Sequence, residues 1–285
     1  MSHPDLESVV DVLGEPYYKN DSVLLYHGDC REFMGKMKGT IQVPLTVTSP
    51  PYNIGKEYER ELPLDAYLGW CTDWLGDIRS VTTANGALWL NLGYVSVPGV
   101  GKAVPLPYLL WDRLPFYLIQ EVVWNYGAGV AAKRSLSPRN EKWLWCVADE
   151  SDYCFNLDAI RDPDVKYPNQ KKNGRVKVNA LGKNPSDVWQ IPKVTSGRDR
   201  SSQERAPHPA QFPMALIERV SLGFSNTGDV LMDPFSGSGT VADVAMRTGR
   251  LAVGFEVKEE YLNFSAQRLE RTAVELESRL PINFE

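Results

Sequence analysis

An α/β sheet with helices packed on both faces is the fold that this sequence predicts, and three observations carry the prediction. Short apolar runs of strand length alternate with segments whose apolar residues recur three and four apart. Two loops, one proline-rich and one glycine-rich, directly follow apolar runs, placing them at the carboxyl ends of strands, where such sheets bind ligands. At 285 residues and 43% hydrophobic content, the chain can bury one large core with a smaller appended lobe.

The elements read in order. Residues 1–20 suit an irregular lead or a short helix. A strand over 22–26 and a helix near 30–37 follow, then a strand over 42–48 built on Ile41-Gln-Val-Pro-Leu-Thr-Val47. Residues 64–78 have helical spacing, and Asn85-Gly86 turns the chain into a buried strand, Ala87-Leu-Trp-Leu-Asn91. A helix over 105–113 leads to a strand over 117–124, and Trp143-Leu-Trp-Cys-Val147 reads as another. Helices near 210–222, 239–248 and 258–277 close the chain, with strands ending at Asp233 and Glu256 between them. There is no internal repeat and no low-complexity tract.

Thr48-Ser-Pro-Pro-Tyr-Asn-Ile-Gly-Lys56 follows the 42–48 strand. Pro50 and Pro51 fix φ near −65° and lack an N–H, and each holds the residue before it extended. The Ser49 hydroxyl and the Ser49 and Pro50 carbonyls are thereby left as acceptors with little freedom, beside the flat face of Tyr52. Such a set could hold the exocyclic amino group of a base by two hydrogen bonds while stacking its ring. Ser-Pro-Pro also occurs in ordinary loops, so a second motif is needed. It comes at Gly228–Glu256: a strand, the loop Asp233-Pro-Phe235-Ser-Gly237-Ser-Gly239-Thr, a helix, then Leu251-Ala-Val-Gly-Phe-Glu256. Glycines let backbone approach a ligand at a helix N-terminus, and Glu256 at the next strand tip can accept from ribose hydroxyls. The loop departs from Gly-x-Gly-x-x-Gly, so a pyrophosphate is not the favoured ligand.

Together the two motifs resemble the DNA amino-methyltransferases that use S-adenosylmethionine. Asp-Pro-Phe-x-Gly-x-Gly looks like that family's cofactor loop and Thr-Ser-Pro-Pro-Tyr like its catalytic loop. Here the catalytic loop comes first, about 180 residues ahead of the cofactor loop. That order resembles the β class, a circular permutation of the Rossmann-like methyltransferase sheet with an inserted target-recognition region. The resemblance covers most of 22–272. It implies a catalytic half at 22–126, the last catalytic strands and the target-recognition region at 127–205, and a cofactor half at 206–277. It further implies catalytic roles for Ser49, Pro50, Pro51 and Tyr52. On the cofactor side it implies contacts from Asp29, Asp233, Phe235, Gly237, Gly239 and Glu256, with His208 and Pro209 lining the pocket. Asn184-Pro-Ser-Asp-Val-Trp189 also looks like family sequence.

The chemistry follows from the residues. An aromatic amino group is a poor nucleophile because its lone pair is delocalised. A neutral serine hydroxyl is no strong base, so Ser49 and the Pro50 carbonyl would accept the amino protons and favour a pyramidal nitrogen facing the sulfonium methyl. Alignment alone can supply roughly 7–11 kcal/mol at best. Tyr52 would stack on a base flipped out of the duplex, worth about 1–3 kcal/mol. No Pro-Cys pair stands at the catalytic loop, which disfavours attack at a ring carbon. Within the family, Ser-Pro-Pro-Tyr resembles enzymes acting on N4 of cytosine, and an Asp or Asn in place of the Ser is typical of N6 of adenine. N6-adenine methylation, an RNA or small-molecule methyltransferase and a non-catalytic nucleic-acid-binding protein are the alternatives.

The net charge of −5 argues against a generally sticky nucleic-acid binder, but its distribution is uneven. Residues 166–205 hold ten Lys/Arg against three acids, about +7 locally, leaving about −12 for the rest. A solvated loop is one reading of this segment. Its position between the two halves suits phosphate and base contacts instead, from Lys171, Lys172, Arg175, Lys177, Arg198 and Arg200, together with Arg134 and Arg139. Lys56, Glu57 and Tyr58 either close over substrate or lie in a solvated loop. Trp89, Trp124, Trp143 and Trp145 fall in strand patterns and read as core, although Trp124-Asn-Tyr126 ends near the expected target pocket. His27 has no visible partner for base catalysis. Four cysteines without a Cys-x-x-Cys pair, beside three histidines, predict neither a metal site nor disulfides. The polar, acidic N-terminus does not read as a signal peptide, and with no apolar run of 18 or more no membrane span is expected. The expectation is a cytoplasmic enzyme, bacterial, archaeal or phage-encoded, acting on double-stranded DNA. A homodimer and a cognate restriction endonuclease are plausible companions by resemblance.

Overall fold

The computed structural model describes residues 5–57, 59–127, 131–195, 200 and 204–278. In chain order the elements are α1 (Leu6–Leu13), β1 (Tyr18–Lys19), β2 (Val23–His27), α2 (Cys30–Met37), β3 (Val43–Thr48), α3 (Leu64–Ser80) and β4 (Thr82–Leu92). Next come β5 (Tyr94–Val97), β6 (Gly101–Pro105), α4 (Leu106–Leu110), β7 (Tyr117–Asn125), β8 (Asn140–Val147), β9 (Lys171–Lys172), β10 (Arg175–Val176) and β11 (Val188–Gln190). The chain closes with α5 (Met214–Phe224), β12 (Val230–Asp233), α6 (Thr240–Arg247), β13 (Leu251–Glu256) and α7 (Glu259–Ser278).

Among the described residues, nine strands form one sheet in the order β1-β2-β13-β12-β3-β4-β8-β7-β11. From β2 to β4 the neighbours run parallel, and β8 is antiparallel to both β4 and β7. The early strand β2 lies against the late strand β13, with Leu24 opposite Val253 and Tyr26 opposite Phe255. The sheet therefore interleaves early and late parts of the chain, with β12 and β13 seated between β2 and β3.

Side chains alternate across the sheet with the two-residue period of a strand. Leu24, Tyr26, Leu88, Leu90, Met232 and Val253 pack into a core with α1 to α4. Val23, Leu25, Val47, Trp89, Leu231 and Ala252 pack into a second core with α5, α6 and α7. Both faces are covered, so the central strands read as continuous apolar runs rather than alternating ones. Trp89, Trp143 and Trp145 are buried, as their strand pattern predicts.

Three features differ from the sequence expectation. Asn85-Gly86 is not a turn ahead of a strand: both residues lie inside β4, in a bulge. Val43 pairs with Thr82 and Leu45 already with Ala87, so six β4 residues span three of β3. A Cβ at Gly86 would stand 2.6 Å from Thr82 Cγ2, so this crowded bulge needs a glycine. β8 begins at Asn140, three residues earlier than expected, and so includes Glu141. Finally, 127–205 contributes to the central sheet beyond Trp143–Val147. It supplies β11, parallel to β7 with Trp189 opposite Trp124, and Ile160 packs on Gly223 of α5. The hairpins β5–β6 and β9–β10 were also unexpected. The second turns on Asn173-Gly174, both at positive φ, a dipeptide suited to a two-residue hairpin.

No helix among the described residues is long and apolar enough to cross a membrane, and no cluster of His, Cys, Asp and Glu among them could hold a metal ion. All four cysteines are free. α6, which carries the glycine-rich loop, is tied to α7 by buried Asp243. Its carboxylate accepts from Arg268 Nε at 2.6 Å, Arg247 Nε at 2.8 Å and Thr272 Oγ1 at 2.8 Å. Asp243→Ala would strand a buried guanidinium, and such a loss costs about 3–5 kcal/mol. Urea denaturation should show that decrease in unfolding free energy.

Candidate active site

β3 and β12 are parallel neighbours, Leu45 pairing with Leu231 and Thr46 with Met232. Their carboxyl ends therefore finish side by side, and Thr48 Oγ1 donates to Asp233 Oδ1 at 2.7 Å. From β12 the chain crosses by α6 to β13 on one side. From β3 it crosses by α3 to β4 on the other, over the opposite face. A crevice opens where the direction reverses, the place ligands occupy in open α/β sheets. It holds a cavity of about 390 Å³, within the range of small-molecule sites. Ser49, Pro50, Pro51 and Tyr52 line it from one side. Asp29, His208, Pro209, Asp233, Phe235, Gly237 and Glu256 line it from the other.

The glycine-rich side is shaped by close approaches. Gly237 has φ +47°, and a Cβ there would lie 2.8 Å from His208 Nε2. The Gly237 amide donates to Glu256 Oε2 and the Lys258 amide to Glu256 Oε1, both at 2.9 Å, which fixes the carboxylate at the rim of the cavity. Each oxygen retains a second lone pair for a ligand hydroxyl. Burial raises the Glu256 pKa. Burial also lifts Asp233 to about 7, against the opposing bonds from Thr48 and the Phe235 amide. His208 is pushed down to about 4 by burial and is neutral near pH 7. Its Nδ1 accepts from the Ala210 amide at 3.2 Å and its ring stands edge-on to Tyr261. Phe235 is set among aromatic rings, 5.7 Å from Trp70 and 5.5 Å from Trp74. Asp29 caps α2 through the Arg31 amide and still faces the cavity.

Gly239 does not line the cavity. It caps α6 at φ +68°, and a Cβ there would meet Ser265 Cβ at 2.9 Å, so its glycine serves packing against α7. Its neighbours Ser238 and Thr240 do line the cavity.

The proline-rich side is a hydrogen-bonded lattice. Tyr67 Oη, on α3, donates to the Pro51 carbonyl at 2.8 Å. Asn53, at φ +61°, brackets Leu62 with both side-chain atoms, and the Glu59 carboxylate accepts from the amides of Asn53, Ile54 and Lys56. Ser49 Oγ donates to Tyr52 Oη at 2.9 Å, and Tyr52 Oη donates to Glu141 Oε2 at 3.2 Å. Asn91 Nδ2 donates to both Tyr52 Oη and Glu141 Oε2, each at 2.7 Å. The Tyr52 ring lies against Gly93, where a Cβ would be 2.6 Å from Cε2. Lys193 Nζ stands 3.7 Å from the centre of the Tyr126 ring and 4.0 Å from Glu141 Oε1.

Sequence reasoning singled out none of Asn91, Glu141, Lys193, Trp70 or Tyr261 for this cavity, although all line it. The one available signal was Glu141, a charged residue just before the apolar run of β8. Trp124 fits both readings made of it: it is buried, donates to the Ile191 carbonyl at 2.7 Å, and lines the cavity. Lys56 lines the cavity, and Lys258 Nζ donates to the Glu57 carbonyl at 2.8 Å; Tyr58 lies outside the described residues. Of the basic residues, Arg134, Lys171, Lys172, Arg175, Lys177 and Arg200 are exposed away from the cavity. Arg139 is half-buried and donates to the Gly127 carbonyl at 3.0 Å, and Arg198 lies outside the described residues.

A Rossmann-like sheet with a glycine-rich loop, an acidic residue at the next strand tip and a polar clamp across the crevice defines an S-adenosylmethionine-dependent methyltransferase. The comparisons agree. Residues 43–268 match the family model described as DNA methylase, of the N6/N4 type, and the chain belongs to that family. It is 59% identical over 271 residues to the type II methyltransferase M.ScaI of Streptomyces caespitosus, covering 95% of this chain and 89% of the relative. It is 30% identical over 263 residues to the DNA adenine methyltransferase YhdJ of Escherichia coli (strain K12), covering 89% and 84%. Among solved structures, the fold is shared with the cytosine-N4-specific PvuII DNA methyltransferase, at TM-score 0.69 and 20% identity, covering 96% and 92%. It is also shared with the complex of M1.HpyAVI and S-adenosylmethionine, at TM-score 0.57 and 20% identity, covering 87% and 99%.

The cavity fits S-adenosylmethionine. Asp29, Asp233 and Glu256 offer carboxylates for hydroxyl, amino and cationic groups, Phe235 and Trp70 offer an aromatic wall, and the buried Ser236 hydroxyl has no partner among the described residues. The raised pKa of Asp233 gives a test. Its ionisation near pH 7 presents a negative charge to a permanently cationic sulfonium. Affinity for S-adenosylmethionine should therefore rise between about pH 6 and 7.5, by up to roughly tenfold, the equivalent of one pKa unit. Calorimetry across that range should show the rise, and Asp233→Asn should bind more weakly and flatten it. The sign is opposite for the free protein. A carboxyl with a raised folded-state pKa contributes stability at low pH that is lost as pH rises through about 7.

Proposed function

We propose that this chain is a sequence-specific DNA methyltransferase that transfers a methyl group to N4 of cytosine in a flipped-out base, as the modification partner of a type II restriction system. The observation that carries the proposal is Ser49. Its hydroxyl hydrogen is directed at Tyr52, so its lone pairs are left to accept from an amino group in the cavity. S-adenosylmethionine, when bound, supplies the methyl group as a sulfonium electrophile. Ser49 and Pro50 orient the amino group, and Pro51, anchored through Tyr67, keeps the turn from yielding. Tyr52 and Trp124 offer aromatic surface to the flipped base.

Several further observations support the reading. The PvuII enzyme, which shares the fold across nearly the whole chain, is named as cytosine-N4-specific. The type II title of the 59% identical relative supports the restriction context. The exposed hairpin β9–β10 carries Lys171, Lys172 and Arg175 with no acid between them, which suits phosphate contacts from a target-recognition region. The 30% identity to an adenine methyltransferase favours N6-adenine methylation as the second reading. A non-catalytic binding protein is disfavoured because both loops face one cavity.

Mixed-sequence DNA treated with enzyme and labelled cofactor, then digested to nucleosides, should yield N4-methylcytosine. N6-methyladenine would replace the first reading with the second. Ser49→Ala should lower single-turnover methylation by about 10²-fold or more, the loss typical of removing one preorganised polar group. Its affinity for the cofactor should be unchanged. Full turnover in folded Ser49→Ala would refute the assignment.

A further inference from the structure

We infer that Glu141 is the terminal proton acceptor of a relay that starts at Ser49 and runs through Tyr52, and that Asn91 sets the relay's direction. The inference rests on the amino-methyltransferase reading above and holds for either base.

The direction follows from counting donors. Tyr52 Oη accepts from Ser49 Oγ at 2.9 Å and from Asn91 Nδ2 at 2.7 Å. With two donors aimed at its oxygen, the phenolic hydrogen is left for Glu141 Oε2 at 3.2 Å. Asn91 Nδ2 also donates to that carboxylate oxygen, which fixes the amide's orientation: the reverse would aim its carbonyl at a carboxylate. Asn91 Oδ1 is buried and has no partner among the described residues, so this amide positions and takes no proton. Each hydroxyl hydrogen between the cavity and Glu141 thus points toward Glu141.

An amino-methyltransferase must dispose of one proton per turnover. As the C–N bond forms, the S–C electron pair leaves with sulfur and the amino nitrogen becomes cationic. That nitrogen gives an N–H proton to Ser49 Oγ. The Ser49 hydroxyl proton passes to Tyr52 Oη, and the Tyr52 proton passes to Glu141 Oε2, leaving a neutral carboxylic acid. One N–H and two O–H bonds break, three O–H bonds form, and no oxidant or second reactant is needed. The Glu141 side chain is 19% exposed, enough to return the proton to water. Lys193 Nζ stands 4.0 Å from the other carboxylate oxygen. The relay answers the weakness of Ser49 as a base: it need only pass a proton on. Glu141 and Asn91 act through Ser49 and are positioning residues.

The test uses the full chain in single-turnover methylation of mixed-sequence DNA at saturating cofactor. Glu141→Gln should slow the chemical step by about 10²-fold, at the lower edge of general acid–base effects. Its affinity for DNA and cofactor should stay within about twofold. Glu141→Ala should be equally slow and should regain part of its rate with added formate, a small carboxylate, but not with chloride. The double variant Tyr52→Phe/Glu141→Gln should be no slower than the slower single variant, because both break one chain. Glu141→Gln within about threefold of the wild-type rate overturns the relay. So does Glu141→Ala, folded but unresponsive to formate, since a merely structural role gives formate nothing to replace. If Glu141→Ala does not fold, the Glu141→Gln rate decides alone. Wild-type protein that makes N6-methyladenine corrects the target base and leaves the relay standing. Wild-type protein that methylates no DNA overturns both.

Discussion

The pairing of β3 with β12 is the contact on which the rest of this molecule depends. Neither strand carries a whole site. One ends in a turn stiffened by two prolines, the other in a loop of small residues, and they come from opposite halves of the chain. Parallel register sets their ends level, and the 2.7 Å bond from Thr48 to Asp233 locks that level at the last residue of each strand. A one-residue slip would turn every side chain on one strand to the wrong face and would part this pair. The distance between the methyl donor and its acceptor is therefore set by main-chain register more than by any side chain in the cavity.

The same bond shapes the electrostatics. Asp233 is buried, and burial holds its carboxyl near neutrality against the opposing bonds from Thr48 and the Phe235 amide. Glu256 is shifted the same way by burial. A pocket holding three carboxylates would repel itself if all were ionised and dry. Burial leaves Asp233 partly neutral near pH 7, and a cationic ligand brings the compensating charge. His208, held neutral by burial, adds no competing positive charge.

Much of this was legible in the sequence because the informative residues are local. Two prolines, two glycines and an acid at each strand tip have conformational consequences that need no tertiary context, and all but Gly239 reach the cavity. The buried tryptophans were legible because a central strand covered on both faces is apolar throughout. What was not legible is non-local. Glu141 and Lys193 matter only because β8 and the segment after β11 return to the mouth of β3, and nothing in their neighbouring residues announces that return. Asn91 read as the end of a buried strand, and its amide acquires meaning from Tyr52, 39 positions away. At Gly239 the sequence did not announce a second constraint, the close packing of this loop glycine against Ser265. Asn85-Gly86 carried a true turn signal that the sheet absorbed as a bulge.

The placement of β12 and β13 between β2 and β3 has a consequence for biosynthesis. During translation β2 and β3 emerge early, but the two strands that belong between them, β12 and β13, lie more than 180 residues downstream. Until residues 230–256 have left the ribosome, the parallel half of the sheet has a gap at its centre, and the apolar edges of β2 and β3 stay open. Contacts of such long sequence separation form slowly and leave nascent chains exposed to aggregation. They also act as a safeguard. The cofactor cavity has no floor before β12 arrives, so a truncated or stalled chain cannot mark DNA, and modification begins only with molecules whose synthesis has run through both halves.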